Sequence, residues 1–155
     1  MAPPSYSIAP VQSELNMTLY NKEVYGGRGT NGVTTLVNRG PIGTTWVFSW
    51  PVTDGPAGGA DANVVGHLQG TGVQVATYPD YMWHYSLGLV FGQGSRFNGS
   101  TLQIQGTSKI NGEWSIVGGT GELAMAKGTV RRTEISYTGN IRISELNIHV
   151  LYTPM

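Results

Sequence analysis

The chain contains no cysteine, so it can form no disulfide, present no thiol nucleophile and build no cysteine-ligated zinc site. Charge is scarce as well: Asp, Glu, Lys and Arg make up 12% of the residues, against about a quarter in an average domain. The 9 cations balance the 9 anions, so there is no diffuse field with which to hold a phosphate backbone or an anionic bilayer. Nucleic acid and membrane are therefore not expected as partners. No run approaches the roughly 18 apolar residues of a membrane-spanning helix. The opening Met1-Ala2-Pro3-Pro4-Ser5-Tyr6-Ser7 lacks the cationic start and apolar stretch of a signal peptide. With the missing Cys, this favours a cytoplasmic address, or a secreted one if a leader has been removed.

Glycine, by contrast, is abundant: 23 residues of 155, about twice the usual share and too many for long helices. The apolar residues recur with period two. Leu15, Met17 and Leu19 alternate with Asn16, Thr18 and Tyr20, which predicts a strand over 14–23. After a Gly-rich break at 26–32, strands are expected at 33–37, 46–50 and 64–76, the last bent near Gly70 or Gly72. Others are expected at 83–91, 100–105, 113–117, 126–135 and 142–152, each bounded by Gly, Asn or Ser turns. Eight or nine short antiparallel strands in one domain mean a sandwich or an up-and-down barrel, and a barrel removes the exposed edges.

The motifs carry little chemistry. Gly27-Arg28-Gly29-Thr30-Asn31-Gly32 matches a dinucleotide-binding fingerprint in letters, but Val33-Thr34-Thr35 follows where a helix should begin, so it reads as a hairpin loop. Gly118-Gly119-Thr120-Gly121 reads as a tight turn for want of a nearby Lys-Ser or Lys-Thr. His67, His84 and His149 share no metal-binding spacing, and the carboxylates are scattered. The segment Tyr78-Pro79-Asp80-Tyr81-Met82-Trp83-His84-Tyr85 gathers aromatics beside an acid, which suits either a ligand or a core and subunit contact. No catalytic residue, cofactor or metal is assigned.

One group of segments points to a family. Trp46-Val47-Phe48-Ser49-Trp50-Pro51-Val52-Thr53-Asp54-Gly55-Pro56, Val64-Val65-Gly66-His67-Leu68-Gln69-Gly70, Arg96-Phe97-Asn98-Gly99-Ser100-Thr101-Leu102 and Glu113-Trp114-Ser115-Ile116-Val117-Gly118-Gly119-Thr120-Gly121 occur in that order. Over residues 15–152 the chain resembles a dirigent-like domain. The resemblance is nearest to the cereal type that precedes a jacalin-like lectin domain in some plant proteins. It implies an eight-stranded antiparallel up-and-down β-barrel of the dirigent and allene-oxide-cyclase-like class, commonly trimeric, with a ligand cavity at one end. Residues 13–155 would form this barrel and 1–12 a flexible arm.

Relatives that steer lignan formation bind oxidised phenolic radicals or quinone methides. The resemblance places an acid of theirs at Lys22, a second acid near Ser108 and an Arg near Gly112, and none is kept. The expected function is therefore a non-catalytic, carbohydrate-binding domain of a defence-related plant lectin. The alternative is a stereodirecting protein for phenolic radical coupling or quinone-methide cyclisation. An oligosaccharide or small phenolic ligand would meet Tyr20, Lys22, Gln74 and Ser108 on the cavity wall, with Asp54, Asp80 and Tyr81 at the rim. Leu15, Met17 and Leu19 would then face outward and be covered in a homo-oligomer, a trimer or alternatively a dimer. A C-terminal jacalin-like lectin domain outside this chain is a further expected partner.

Overall fold

The computed structural model describes residues 1–6, 11–25, 30, 34–37, 42–56 and 62–154. Nine strands are present among them: β1 Ser13–Val24, β2 Thr34–Val37, β3 Thr45–Thr53, β4 Val64–Ala76, β5 Met82–Phe91, β6 Thr101–Ser108, β7 Gly112–Thr120, β8 Lys127–Thr138 and β9 Ile141–Tyr152. The only helical element among the described residues is a 3-10 turn at Gly121–Leu123. Gly118 to Thr120 thus extend β7, and the turn expected there begins at Gly121, whose φ of +64° lies in the left-handed region. The loop reading of Gly27 to Gly32 falls outside the described residues, Thr30 apart.

Each strand hydrogen-bonds antiparallel to its neighbour in the order β1-β9-β8-β7-β6-β5-β4-β3-β2, and β1 also pairs with β3. That last pairing closes β1 and β3–β9 into an eight-stranded barrel. It consists of two residue pairs only, Tyr20 with Thr53 and Asn21 with Val52. Farther along β3, Trp46 and Val47 pair instead with β2, which takes over the edge that β1 has left.

Alternation of side chains sends one set of residues inward from every strand. Phe48, Trp50 and Val52 from β3, Leu68 from β4, Tyr85, Leu87, Leu89 and Phe91 from β5, Leu102 and Ile104 from β6, Trp114 and Ile116 from β7, Val130 from β8, and Leu146, Ile148 and Val150 from β9 form one buried core. The bend expected in β4 is met by close approach rather than by a slip of register at that point. A Cβ on Gly70, at φ +152°, would lie 2.1 Å from the Ser86 carbonyl oxygen.

The strand β1 corrects an expectation. Leu19 is buried and Leu15 and Met17 pack against the core, so this stripe faces inward and offers no outward surface to a neighbouring subunit. A strand shows its two faces with period two, so assigning Lys22 to the cavity reversed the whole strand. The residues that continue the apolar parity are Asn21 and Glu23, and both are fully buried.

The two ends of the barrel differ. At one, Phe97, Leu123 and Ala126 from the connections join Val65, Phe91 and Tyr152 in an apolar plug. At the other, where β1 ends and β3 and β5 begin, inward positions carry charged and large aromatic side chains.

Candidate functional site

A cavity of about 230 Å³ lies at this second end, lined by Glu23, Tyr25, Trp46, Phe48, Trp50, Trp83, Tyr85, Ile110, Tyr137 and Arg142. Its wall is aromatic. Phe48 and Trp50, alternate residues of β3, stack with centroids 3.9 Å apart and 9° between planes. Trp46 and Trp83, from β3 and β5, approach to 6.3 Å. Tyr85 lies 5.1 Å from Trp114, and it fits over β4 because Gly72 is there: a Cβ on Gly72 would meet the Tyr85 ring at 3.1 Å and the Phe48 ring at 3.3 Å.

One carboxylate is set into this wall. Glu23 on β1 is 1% exposed and bonds through one oxygen to the guanidinium of Arg132 from β8, also 1% exposed. Asn21 Nδ2 donates to the same oxygen, Oε1, at 3.2 Å. The other oxygen, Oε2, accepts from the Tyr25 hydroxyl and, at 3.4 Å, from Arg142 of β9. Arg142 also donates to Tyr25 Oη at 2.5 Å and to Glu134 Oε2 at 2.7 Å. Two carboxylates and two guanidiniums therefore balance within one network, which is the condition for burying charge without a large penalty.

Arg132 is held by more than charge. Its Nε donates to Ser144 Oγ at 3.3 Å and its NH1 to Tyr85 Oη at 3.5 Å, and its guanidinium lies 5.5 Å from the Trp50 ring and 5.7 Å from the Trp114 ring. Arg142 sits likewise between the rings of Tyr137, at 4.5 Å, and Tyr25, at 5.2 Å.

These surroundings fix the protonation of the two phenols. Burial first, then the charge and hydrogen bond of Glu23, raise Tyr25 well above the ordinary phenol value of 10.0. Burial also raises Tyr85, with Arg132 opposing. Both stay neutral at ordinary pH; Tyr25 donates to Glu23, whereas Tyr85 accepts from Arg132. For Arg142, burial works to lower the value, but Tyr25, Glu23 and Glu134 outweigh it and the guanidinium is raised.

The expected ligand residues do not converge on this cavity. Tyr20 lies on the outer face of β1, where its hydroxyl donates to Glu145 Oε2 at 3.4 Å across the strand pair. Lys22 has the same outward parity. Gln74 is buried and faces inward, but its amide is engaged by the Ala76 carbonyl at 3.2 Å. Ser108 is buried and accepts from Trp114 Nε1 at 2.9 Å. Asp54 follows β3 at the plugged end, where its Oδ1 accepts from the Asn63 amide. Asp80 and Tyr81 are at the cavity end: Asp80 pairs with Lys109 at 2.5 Å, and Tyr81 stacks 6.5 Å from Trp83. Of the aromatic segment 78–85, Tyr85 is core, Trp83 lines the cavity, and Tyr78 and Tyr81 remain exposed.

Residues 14–151 match the family model described as dirigent-like protein. The chain belongs to the dirigent-like family. Its structure is similar to that of the pterocarpan synthase dirigent protein GePTS1, with a TM-score of 0.82 and 25% identity over 97% of this chain and 99% of that one. It is also similar to the pterocarpan synthase dirigent protein PsPTS1, with a TM-score of 0.78 and 24% identity over 92% and 97% of the two chains. A pyocyanin demethylase shares the fold at a TM-score of 0.58 and 19% identity, over 86% and 99%. No curated protein matches the sequence significantly. None of these three structures is a lectin by description, and nothing in the matches supports a jacalin-like context.

The dirigent-like barrel also revises what the sequence suggested about lost acids. Lys22 is not in the cavity, but the next residue, Glu23, is, so a first-strand carboxylate faces the site. No Arg stands at Gly112, yet its register partner across β7 and β8 is Arg132, which puts a guanidinium beside Glu23. The signal was present in Leu15, Met17 and Leu19, whose parity leads to Glu23. Arg132, Arg142 and Tyr25 had no such signal, because three separate elements bring them together.

Proposed function

We propose that this chain binds a small phenolic quinone methide in the cavity and directs its closure into a ring, with Glu23 as the proton acceptor. The observation that carries this reading is the buried carboxylate of Glu23, held by Asn21 and two guanidiniums in a wall of aromatic rings. In the step, a hydroxyl on the ligand adds to the exocyclic methide carbon and forms a C–O bond. The electron pair of the methide double bond moves through the ring to the quinone oxygen, which becomes a phenol. The hydroxyl's proton goes to Glu23 and an equivalent proton reaches the new phenol oxygen, so the reaction is an isomerisation that needs no oxidant. Tyr25, neutral and bonded to both Glu23 and Arg142, is placed to pass that proton. A carboxylate on one side of a bound planar ligand favours attack on one face, and this is the source of stereochemical bias.

The cavity volume favours this chemistry over the coupling of two radicals. At about 230 Å³ it lies below the roughly 300 Å³ at the lower end of ligand clefts, which suits one small ligand and not a pair. The two pterocarpan synthases among the similar structures support the same reading. The carbohydrate reading loses three of its seven expected contacts, since Tyr20 and Lys22 face outward and Asp54 sits at the plugged end.

The test is to generate a quinone methide by dehydrating a benzylic alcohol that carries a phenol conjugated to the benzylic carbon and a further hydroxyl as the nucleophile, and to separate the cyclic ether enantiomers chromatographically. Enantiomeric excess should rise with protein concentration and vanish in Glu23→Gln. A racemic product at saturating wild-type protein would overturn the reading.

A further inference from the structure

Two buried polar side-chain atoms lack a hydrogen-bond partner among the described residues, the Oδ1 of Asn21 and the Nε1 of Trp50. One is an acceptor and the other a donor, and both residues are at least 97% buried by the exposures of 0% and 3%. They belong to the two strands that close the barrel. Asn21 pairs with Val52 across that seam. Arg132 joins the two sides, bonding Glu23 while its guanidinium lies 5.5 Å from the Trp50 ring. Glu23 and Trp50 both line the cavity.

A buried donor or acceptor left unsatisfied is costly, and native proteins seldom keep one without a use. Here an unmatched donor and an unmatched acceptor flank the same seam. Of the two residues, only Trp50 lines the cavity, and a ligand hydroxyl suits its donor, because the hydroxyl oxygen accepts from an indole N–H while its proton stays available to Glu23. An amine would be opposed by Arg132, and a carboxylate would meet Glu23.

We infer that the cavity wall at Trp50 is a hydroxyl subsite, in which Trp50 Nε1 donates to a neutral phenolic hydroxyl of the ligand. This inference deepens the proposed function and rests on it for the class of ligand. It names Trp50 as the residue that selects for a hydroxyl, and it sets that hydroxyl next to Glu23, the group that takes its proton.

The probes are p-cresol and toluene, which differ only by the hydroxyl, titrated calorimetrically into the whole chain. Trp50→Phe is the informative variant, since a phenyl ring retains the stack on Phe48 and a face toward Arg132 but has no donor. The preference of the wild type for p-cresol over toluene should fall about tenfold in Trp50→Phe, the equivalent of one buried hydrogen bond. An unchanged preference, or no binding of p-cresol to the wild type, overturns the inference. The wild type alone supplies a second measurement: p-cresol should shift the Trp50 indole N–H resonance, and toluene should not displace it in the same way. Equal shifts with both probes would also overturn it. A Trp50-dependent preference for p-cresol together with a racemic product in the ring-closure assay would sustain the hydroxyl subsite and defeat the ring-closing reading.

Discussion

The two ends of this barrel obey one alternation rule and put it to opposite uses. At the plugged end the inward residues are Val65, Phe91, Phe97, Leu123, Ala126 and Tyr152, and connections fold in to cover them. At the cavity end the same parity delivers Glu23, Arg132 and Arg142 among Trp46, Trp50, Trp83 and Tyr85. The first end follows the ordinary logic of a core, in which burial of apolar area stabilises. The second buries charge that is tolerable only while every member of the network is present. Regions of this kind are where structure is held for recognition or chemistry rather than for stability.

The contrast is broken most sharply at Glu23. Glu23→Leu should destabilise the protein by about 3–5 kcal/mol, because Arg132 is left buried without its carboxylate. The double variant Glu23→Leu/Arg132→Leu should recover most of that loss, since a buried ion pair and an apolar pair of similar volume differ little. Urea denaturation of the three proteins measures both effects, and losses that simply add would mean that the two residues do not act as a pair.

At the plugged end, Leu123→Ala should cost about 2–4 kcal/mol through the cavity that it opens. Its affinity for p-cresol should match that of the wild type, because the change is at the far end of the barrel. A change in affinity comparable to that of a cavity variant would show that the ends are coupled.

A finer probe of the cavity wall is Gly72→Ala. The new methyl would press on the Tyr85 and Phe48 rings, at 3.1 and 3.3 Å, and overpacking of this kind costs about 1–3 kcal/mol. Affinity for p-cresol should weaken as the rings shift, read by the same calorimetry.

The smallest effect is expected from pH. Tyr25 has a folded-state value raised above the ordinary 10.0 by burial and by Glu23. Its stabilising contribution is thus complete below about pH 10 and declines as pH rises from there toward the folded-state value, since the unfolded chain ionises first. The urea midpoint should fall across that alkaline window in the wild type, and Tyr25→Phe should fall less steeply. Identical slopes would place the linkage on other groups.

Much of the fold was legible because strand alternation and glycine turns are local signals. The expected strand at 64–76 coincides with β4, and those at 14–23 and 142–152 lie within one residue of β1 and β9 at either end. The site was harder to read. A one-residue offset on β1 moved the expected cavity group from Glu23 to Lys22, and period two converts such an offset into the opposite face. Asp54 and Asp80 were expected at one rim, yet consecutive loops of an antiparallel barrel leave from alternate ends, which separates them.

The sequence by itself determined the class of the molecule: no cysteine chemistry, little charge, glycine-broken strands of period two, and on β1 the apolar parity that points Glu23 inward. Those properties depend on neighbours along the chain. Only the tertiary structure decided that Glu23 meets Arg132 and Arg142, residues 109 and 119 positions away, that Tyr85 rests on Gly72, and that the seam of β1 and β3 leaves Trp50 and Asn21 unmatched. Barrel closure brings these groups together at distances that no local pattern encodes, and the cost of burying each charge is met only by partners supplied from other strands.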